Sequence, residues 1–408
     1  MKKSTTALMP KLQSAGMFVI AGLIANDVIA GPDINFGEDK FLQVGLGFRA
    51  AYTSASNGAV DGKSRSSDFD VYSTRIYTNA QLSKVIKGTL NFEGTHGAES
   101  STGGSKFGEN FKVYEAIAQF EFAPEFNLWA GRMLTPSDRS NLDGPYYLSS
   151  WLYPGLVAQY PSQLAGRDTG VTAWGKLIDQ HIIYSFGAFE GHNNFKSASS
   201  QDDNLLYAGR LQYDFWGQGM TPAYYTASTF YGKDYFSVGF ATQYQKNGVG
   251  SMNVKGDYLA YNFDMLLEKD IGIGVLDVEA GLYKFDTDNK SDVSTGLLIS
   301  KPSETENVGG INQGKAYLFS SALLIPHQIA WGMVQPYFRY QKFDRDSTVG
   351  DGGVLSLNVL SSVAKQFDYG IHYVIDGHNA RLSVTYTKNE FSNADNQNKV
   401  TLGVQYQF

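Results

Sequence analysis

Apolar and polar side chains alternate one for one along much of this 408-residue chain, a period that fits half-buried strands and not amphipathic helices. From Phe41 to Thr53 one face reads Leu42, Val44, Leu46, Phe48, Ala50 and Tyr52, and the other reads Gln43, Gly45, Gly47, Arg49 and Ala51. The same split recurs from Tyr258 to Lys269, where Leu259, Tyr261, Phe263, Met265 and Leu267 oppose Asn262, Asp264 and Glu268. It returns from Leu276 to Leu282 against Asp277 and Glu279, in Gln366–Ile375 and in Ala380–Tyr386. Strands of this kind need an apolar medium on one side and water on the other.

The connections alternate in length. Ala123-Pro124-Glu125, Leu177 to Gln180, Asp270 to Gly274 and Asp376-Gly377-His378-Asn379 are short, the last with an Asp-Gly turn pair. The stretches 54–68, 96–110, 191–204, 246–257, 287–314 and 345–364 are long and rich in Gly, Ser, Asn and Asp. Short turns at one end and long loops at the other describe an outer-membrane barrel, whereas a soluble sandwich has no use for the asymmetry. The expected fold is therefore all-β, a transmembrane antiparallel β-barrel of about 16 strands with both chain ends on the periplasmic side. Trp216 to Tyr235 reads either as one long turn or as an extra hairpin.

The first thirty residues stand apart. Lys2, Lys3 and Lys11 form a basic start, Gly16 to Ala25 an apolar run and Val28-Ile29-Ala30 a small-residue cleavage site, the layout of a secretory signal peptide. The expected division is 1–30 signal peptide and 31–408 barrel domain, with the mature chain in a Gram-negative outer membrane. The exported chain has no cysteine, so closed sheet must supply the stability that disulfides would. Twenty-six Tyr, 26 Phe and 44 Gly against 11 Pro fit aromatic girdles joined by glycine-rich loops. A net charge of −7 argues against nucleic acid as a partner.

The strand pattern is interrupted between Phe126–Met133 and Thr169–Gly175 by about thirty irregular residues rich in aromatics, too long for an idle connection. The reading is a constriction loop folded into the barrel mouth, with Arg139, Asp143, Tyr146, Tyr147, Trp151 and Tyr153 as its candidate functional residues. The last strand alternates Val400, Leu402, Val404, Tyr406 and Phe408 to the carboxyl end, so Tyr406 and Phe408 are the candidate assembly signal for the barrel-assembly machinery.

Strand parity assigns the charges. Arg49, Arg75, Arg210, Arg339 and Arg381 fall on polar faces and are expected to line the lumen, since an arginine at the lipid midplane costs about 2–4 kcal/mol. Glu93, Glu115, Glu121, Asp264, Glu268, Asp277 and Glu279 are the pore-lining acids. Closure brings four of the arginines onto neighbouring strands, and the expected arrangement is a basic wall facing an acidic one. For each arginine the competing reading is an ion pair that merely stiffens the wall. The six histidines show no ligand spacing, and no cofactor, metal site or catalytic reaction is expected. His372 beside many serines permits a hydrolase, but a polar lumen residue is the simpler reading.

In Tyr114 to Phe120, Leu128-Trp129-Ala130-Gly131-Arg132 and Gly166 to Val171, within the stretch from Val113 to Tyr213, the chain resembles the phosphate-selective porin O and P family of the outer-membrane porin superfamily. Tyr114 to Phe120, Pro124, Leu128-Trp129-Ala130-Gly131-Arg132 and Pro136 are similar to the family's hairpin before its inward loop. Gly166 to Val171, Gly175, Tyr184, Gly187–Phe189 and Gly191 are similar to the hairpin after it. Tyr207 to Leu211, Gln335 to Tyr340 and Gly377 to Leu382 extend the resemblance. It implies a homotrimeric, sixteen-stranded channel in outer-membrane lipid and lipopolysaccharide, passing small ions or anionic solutes by diffusion. Phosphate-selective members carry an arginine ladder, whereas here Arg139 stands nearly alone in the loop. The expectation is weak selectivity, with a phosphate or oxyanion channel as the alternative and a barrel that binds a surface partner or sheathes a cytochrome as the rival of another class.

Overall fold

A computed structural model of the chain describes residues 33–94, 111–158, 160, 166–191, 204–250, 255–288, 313–346, 363–391 and 395–408. The expected signal peptide 1–30, most of the expected long connections 96–110, 191–204, 287–314 and 345–364, and residues 159 and 161–165 lie outside these residues. The strands are β1 (Asp33–Gly37), β2 (Lys40–Ala55), β3 (Ser66–Gln81), β4 (Ile86–Gly94), β5 (Phe111–Ala123), β6 (Phe126–Leu134), β7 (Arg167–Leu177), β8 (Ile182–Phe189) and β9 (Leu206–Trp216). They continue as β10 (Tyr235–Gly250), β11 (Lys255–Asp270), β12 (Val275–Asp286), β13 (Gly314–Ile329), β14 (Gly332–Arg345), β15 (Val363–Asp376), β16 (Ala380–Phe391) and β17 (Gln397–Gln407). A single short helix, α1 (Arg139–Asp143), follows β6 among the described residues.

Each strand from β2 to β17 pairs antiparallel with the next, and β17 returns to β2 through Gly403↔Ala51 and Gln405↔Arg49. Sixteen strands thus close into a ring, which leaves no edge to template association. β1 pairs with Phe41, Leu42 and Gln43 on the edge of β2 that β17 occupies further along, so the two chain ends line one edge in succession. Reciprocal bonds between Leu46 and Phe408, 3.0 Å each, mark where one gives way to the other.

The alternation produces two unlike faces. Val44, Leu46, Phe263, Leu282, Ile371, Val384 and Leu402 are exposed, whereas Gln43, Arg49, Asp264, Glu279, His372, Ser383 and Thr401 are buried. The exposed face carries the apolar residues, as lipid contact requires. The inner face is polar, and its burial means that something packs against it.

One expected boundary is corrected, and one open reading is resolved in favour of a long turn. Residues 246–257 were expected to form a long loop, but β10 and β11 pair out to Gly250↔Lys255 because the extended polar backbone completes the ladder beyond the apolar band. The 217–234 connection contains no strand, although it lies at the end where the other turns are short.

Candidate functional site: the inner face and the segments packed on it

The segment after β6 begins where Thr135 N–H donates to the Gly166 carbonyl at 3.2 Å and closes the neck between β6 and β7. Asp138 caps α1 by accepting from Asn141 N–H at 3.3 Å, and Tyr283 on β12 donates to its other oxygen at 2.8 Å. Arg210 on β9 holds Asp264 on β11 through two bonds of 2.5 and 2.7 Å and reaches the Ser137 carbonyl at 3.0 Å. Arg139 turns its guanidinium to Gln212, Ser237 and the Ala227 carbonyl, while its backbone N–H donates to Asp264. Ser140 donates to Glu279 at 2.8 Å. The start of the segment is thereby fastened to β9–β12.

Residues 146–152 then meet a different arc. Their carbonyls accept from Arg49 at Trp151, Arg339 at Leu152, Arg381 at Leu148 (2.6 Å) and Ser150 (3.5 Å), Gln405 at Tyr146 (3.0 Å) and His372 at Ser149 (3.2 Å). Glycines on the wall receive the aromatics. A Cβ on Gly47 would come within 2.9 Å of the Tyr146 hydroxyl, and one on Gly403 within 2.5 Å of the Trp151 ring. The Arg49 guanidinium lies 4.3 Å from the Trp151 ring centre. Beyond this run, Tyr160 donates to Asn262 at 3.1 Å and Leu156 N–H to Gln341 at 3.2 Å.

A second segment, 217–234, meets the first. Tyr224 donates to the Leu134 carbonyl at 2.9 Å, Thr226 and Ser228 donate to Asp143, and Ser228 N–H donates to the Tyr147 carbonyl at 3.0 Å. Glu268 holds its far end, accepting from Thr229 Oγ1 (3.0 Å) and from the backbone N–H groups of Phe230 (2.5 Å), Gly232 (2.7 Å) and Lys233 (2.8 Å).

The expected site residues therefore fall into groups. Arg49, Arg339 and Arg381 sit on strands near the seam and grip one run of loop carbonyls. Arg75 pairs with Glu93, which also accepts from Ser73, and Ser73 in turn is 2.7 Å from the Tyr146 hydroxyl. Glu115 pairs with Arg167 at 3.0 Å, and Glu121 with Lys87 at 2.6 Å, away from the segment. Asp277 accepts from Gln335 at 3.3 Å, and Tyr153 donates to Asn141 at 2.9 Å. Tyr406 and Phe408 share the exposed outer face, with ring centres 5.7 Å apart.

Strand order corrects the expected opposition of walls. The acid-bearing β4 and β5 follow directly on β3, and only β13 separates β12 from β14. Most of the acids flank the arginines: the strands eight places round the ring from β14, β16, β2 and β3 are β6, β8, β10 and β11, of which only β11, with Asp264 and Glu268, carries expected acids. The error came from treating separation along the sequence as separation around the ring. Arg167, Gln405 and the whole 217–234 segment were missed as site components. The Tyr224-Tyr225 pair within a connection at the short-turn end was the available signal.

His372 bonds Ser383 at 2.7 Å, but its other nitrogen meets the Ser149 carbonyl and both residues are buried. Among the described residues no carboxylate bonds that imidazole, unlike the histidine of a Ser-His-Asp site. Among the described residues no group of three or more His, Cys, Asp or Glu is placed to hold a metal ion.

No family model matches the chain, and no curated protein does. Solved structures do. OmpF of Salmonella typhi, in complex with daunomycin, is similar over 92% of this chain and 100% of its own, with 15% identity and a TM-score of 0.58. An anion-selective porin from Comamonas acidovorans is similar over 90% and 100%, with 12% identity and a TM-score of 0.54. The trimer form of the Vibrio cholerae outer-membrane protein OmpT is similar over 91% and 100%, with 11% identity and a TM-score of 0.50. The chain has the fold of the outer-membrane porins.

Proposed function

We propose that the chain forms an outer-membrane channel through which small hydrophilic solutes and ions diffuse, with weak selectivity, and that residues 135–166 are its inward-folded constriction loop. One observation carries this reading. A single segment bonds to the polar face of strands spread around a closed ring, from β9–β12 to β14–β17 and on to β2 and β3. Such a segment reduces the aperture of the ring it crosses. Its bonds are mainly polar and its groove is lined by charges of both signs, so the passage that remains suits hydrated solutes and discriminates weakly between ions.

The same reading includes export by the 1–30 leader, insertion through the barrel-assembly machinery with Tyr406 and Phe408 as the signal, and residence among outer-membrane lipid and lipopolysaccharide. A homotrimer is supported by the trimer form of one structural neighbour. Selectivity for phosphate or another oxyanion is favoured by the grouped arginines, but Arg75, Arg210 and Arg339 each have a carboxylate partner, which offsets it. The burial of the inner face favours the rival, a filled barrel serving as a surface or cytochrome-binding protein. Ion conductance of the purified protein in planar bilayers separates the two, because a filled barrel passes no current.

A further inference from the structure

Arg381 differs from the inner-face arginines Arg75, Arg167, Arg210 and Arg339. It is fully buried, its guanidinium bonds to the Leu148 and Ser150 carbonyls and to Gln405 and lies in hydrogen-bonding reach of the Tyr231 hydroxyl, and among the described residues no carboxylate forms an ion pair with it. Arg75, Arg167, Arg210 and Arg339 all have such a partner. A buried cation held by neutral groups alone is costly to maintain, so the site calls for an anion.

The unused atoms around it specify what kind. Arg381 Nε is buried without a hydrogen-bond partner and can donate, and the Tyr231 hydroxyl, an acceptor toward the Arg381 guanidinium, keeps its own O–H to donate. His378 Nδ1 is buried without a partner as well. Its Nε2 lies 3.0 Å from the Thr229 carbonyl, which only accepts, so Nε2 carries the proton and Nδ1 of the neutral ring is an acceptor. Burial and the nearby Arg381 charge push the His378 imidazole down to about 3, which keeps it neutral. The Tyr231 and His378 rings meet at 4.8 Å, and the Tyr231 hydroxyl lies beside the Arg381 guanidinium. The three side chains come from β16, the 217–234 connection and the 377–379 turn, all at the short-turn end of the barrel.

We propose that Arg381, Tyr231 and His378 form a binding site for a small carboxylate bearing a neighbouring hydroxyl. The carboxylate accepts from Arg381 Nε and the Tyr231 hydroxyl, and the ligand's own hydroxyl donates to His378 Nδ1. The site deepens the channel reading, on which it rests for access from solution, by naming a solute class that pauses at the short-turn mouth.

The test measures binding of glycolate, acetate and inorganic phosphate to the full-length folded barrel in detergent, by titration calorimetry and by the shift in unfolding temperature. Glycolate should bind saturably and more tightly than acetate, which lacks the hydroxyl. Tyr231→Phe removes that donor and the contact of the hydroxyl with Arg381 while keeping the ring, and should weaken glycolate about tenfold while the barrel still folds. Arg381→Gln should abolish binding, although it also loosens the loop, so Tyr231→Phe is the deciding variant. Equal affinity for glycolate and acetate, tighter binding of phosphate than of glycolate, an unchanged Tyr231→Phe variant or no saturable binding would each overturn the assignment. Binding in micelles is independent of current in bilayers. A barrel that conducts without binding glycolate defeats the site alone, and one that binds without conducting defeats the channel alone.

Discussion

Trp151 rests on Gly403: the indole ring occupies the space that any β-carbon at that strand position would need. The contact joins the centre of the 135–166 segment to β17, at the seam where the ring closes on β2. It can be broken from either side. Trp151→Ala removes a fully buried ring, a loss of about 3–5 kcal/mol in comparable cores, and Gly403→Leu fills the seat. Both variants should remain folded barrels, because the strand ladder is untouched, and both should show higher single-channel conductance. Unchanged conductance in two folded variants would mean that the segment does not limit flow.

The 217–234 segment is held by the Glu268 carboxylate, which receives three backbone N–H groups and the Thr229 hydroxyl. Glu268→Gln removes the charge and turns one acceptor oxygen into a donor, at a cost of about 1.5–3 kcal/mol for bonds to a charged group. Lys233 is exposed within this segment, so trypsin should cut after it faster in the variant than in the parent protein. Equal cleavage rates would show that Glu268 is not what fixes the segment.

The barrel was legible because period-two alternation assigns each strand residue to a face without knowledge of its neighbours. Arg49, Asp264 and Glu279, assigned to the polar face on that basis, are buried. Partners were not legible. Nothing local to Arg339 or Arg381 shows that their guanidiniums meet carbonyls almost two hundred residues or more away, since those contacts depend on how an irregular segment folds back. The 217–234 segment escaped for the same reason: without periodicity its fold is set by acceptors such as Glu268 and Asp143 on other elements.

Acid should tighten the inner segment. Burial pushes the Asp138 carboxyl from 3.8 up to about 7, with the neighbouring Asp264 charge adding to it, and burial together with Glu279 raises Asp143. A carboxyl raised by packing holds its proton longer when packed than when released. Packing is therefore favoured fully below the ordinary value of 3.8, and that contribution is lost as pH rises through about 7. Conductance should be lower at pH 5 than at pH 8, and Asp138→Asn, which cannot ionise, should flatten the difference. The opposite slope in the parent protein would contradict this assignment.

Phe408 and Tyr406 present their rings on the outer face at the end of the last strand. Deletion of Phe408 should leave most of the chain unassembled and degraded in the periplasm, although the pairing of β17 with β2 reaches only to Gln407↔Gly47 and so survives on paper. Normal amounts of heat-modifiable barrel in the outer membrane would remove Phe408 from the assembly signal.

The central claim is that water and ions cross this barrel. Purified protein reconstituted in planar bilayers should give discrete ohmic current steps, with a reversal potential in a salt gradient showing mild anion preference or none. Replacing Arg339 and Arg381 by glutamine should shift that potential toward cations, and the shift should shrink near 1 M salt, where the screening length falls to about 3 Å. Correctly folded, membrane-inserted protein that produces no current at any voltage would contradict the account and leave the filled barrel as its function.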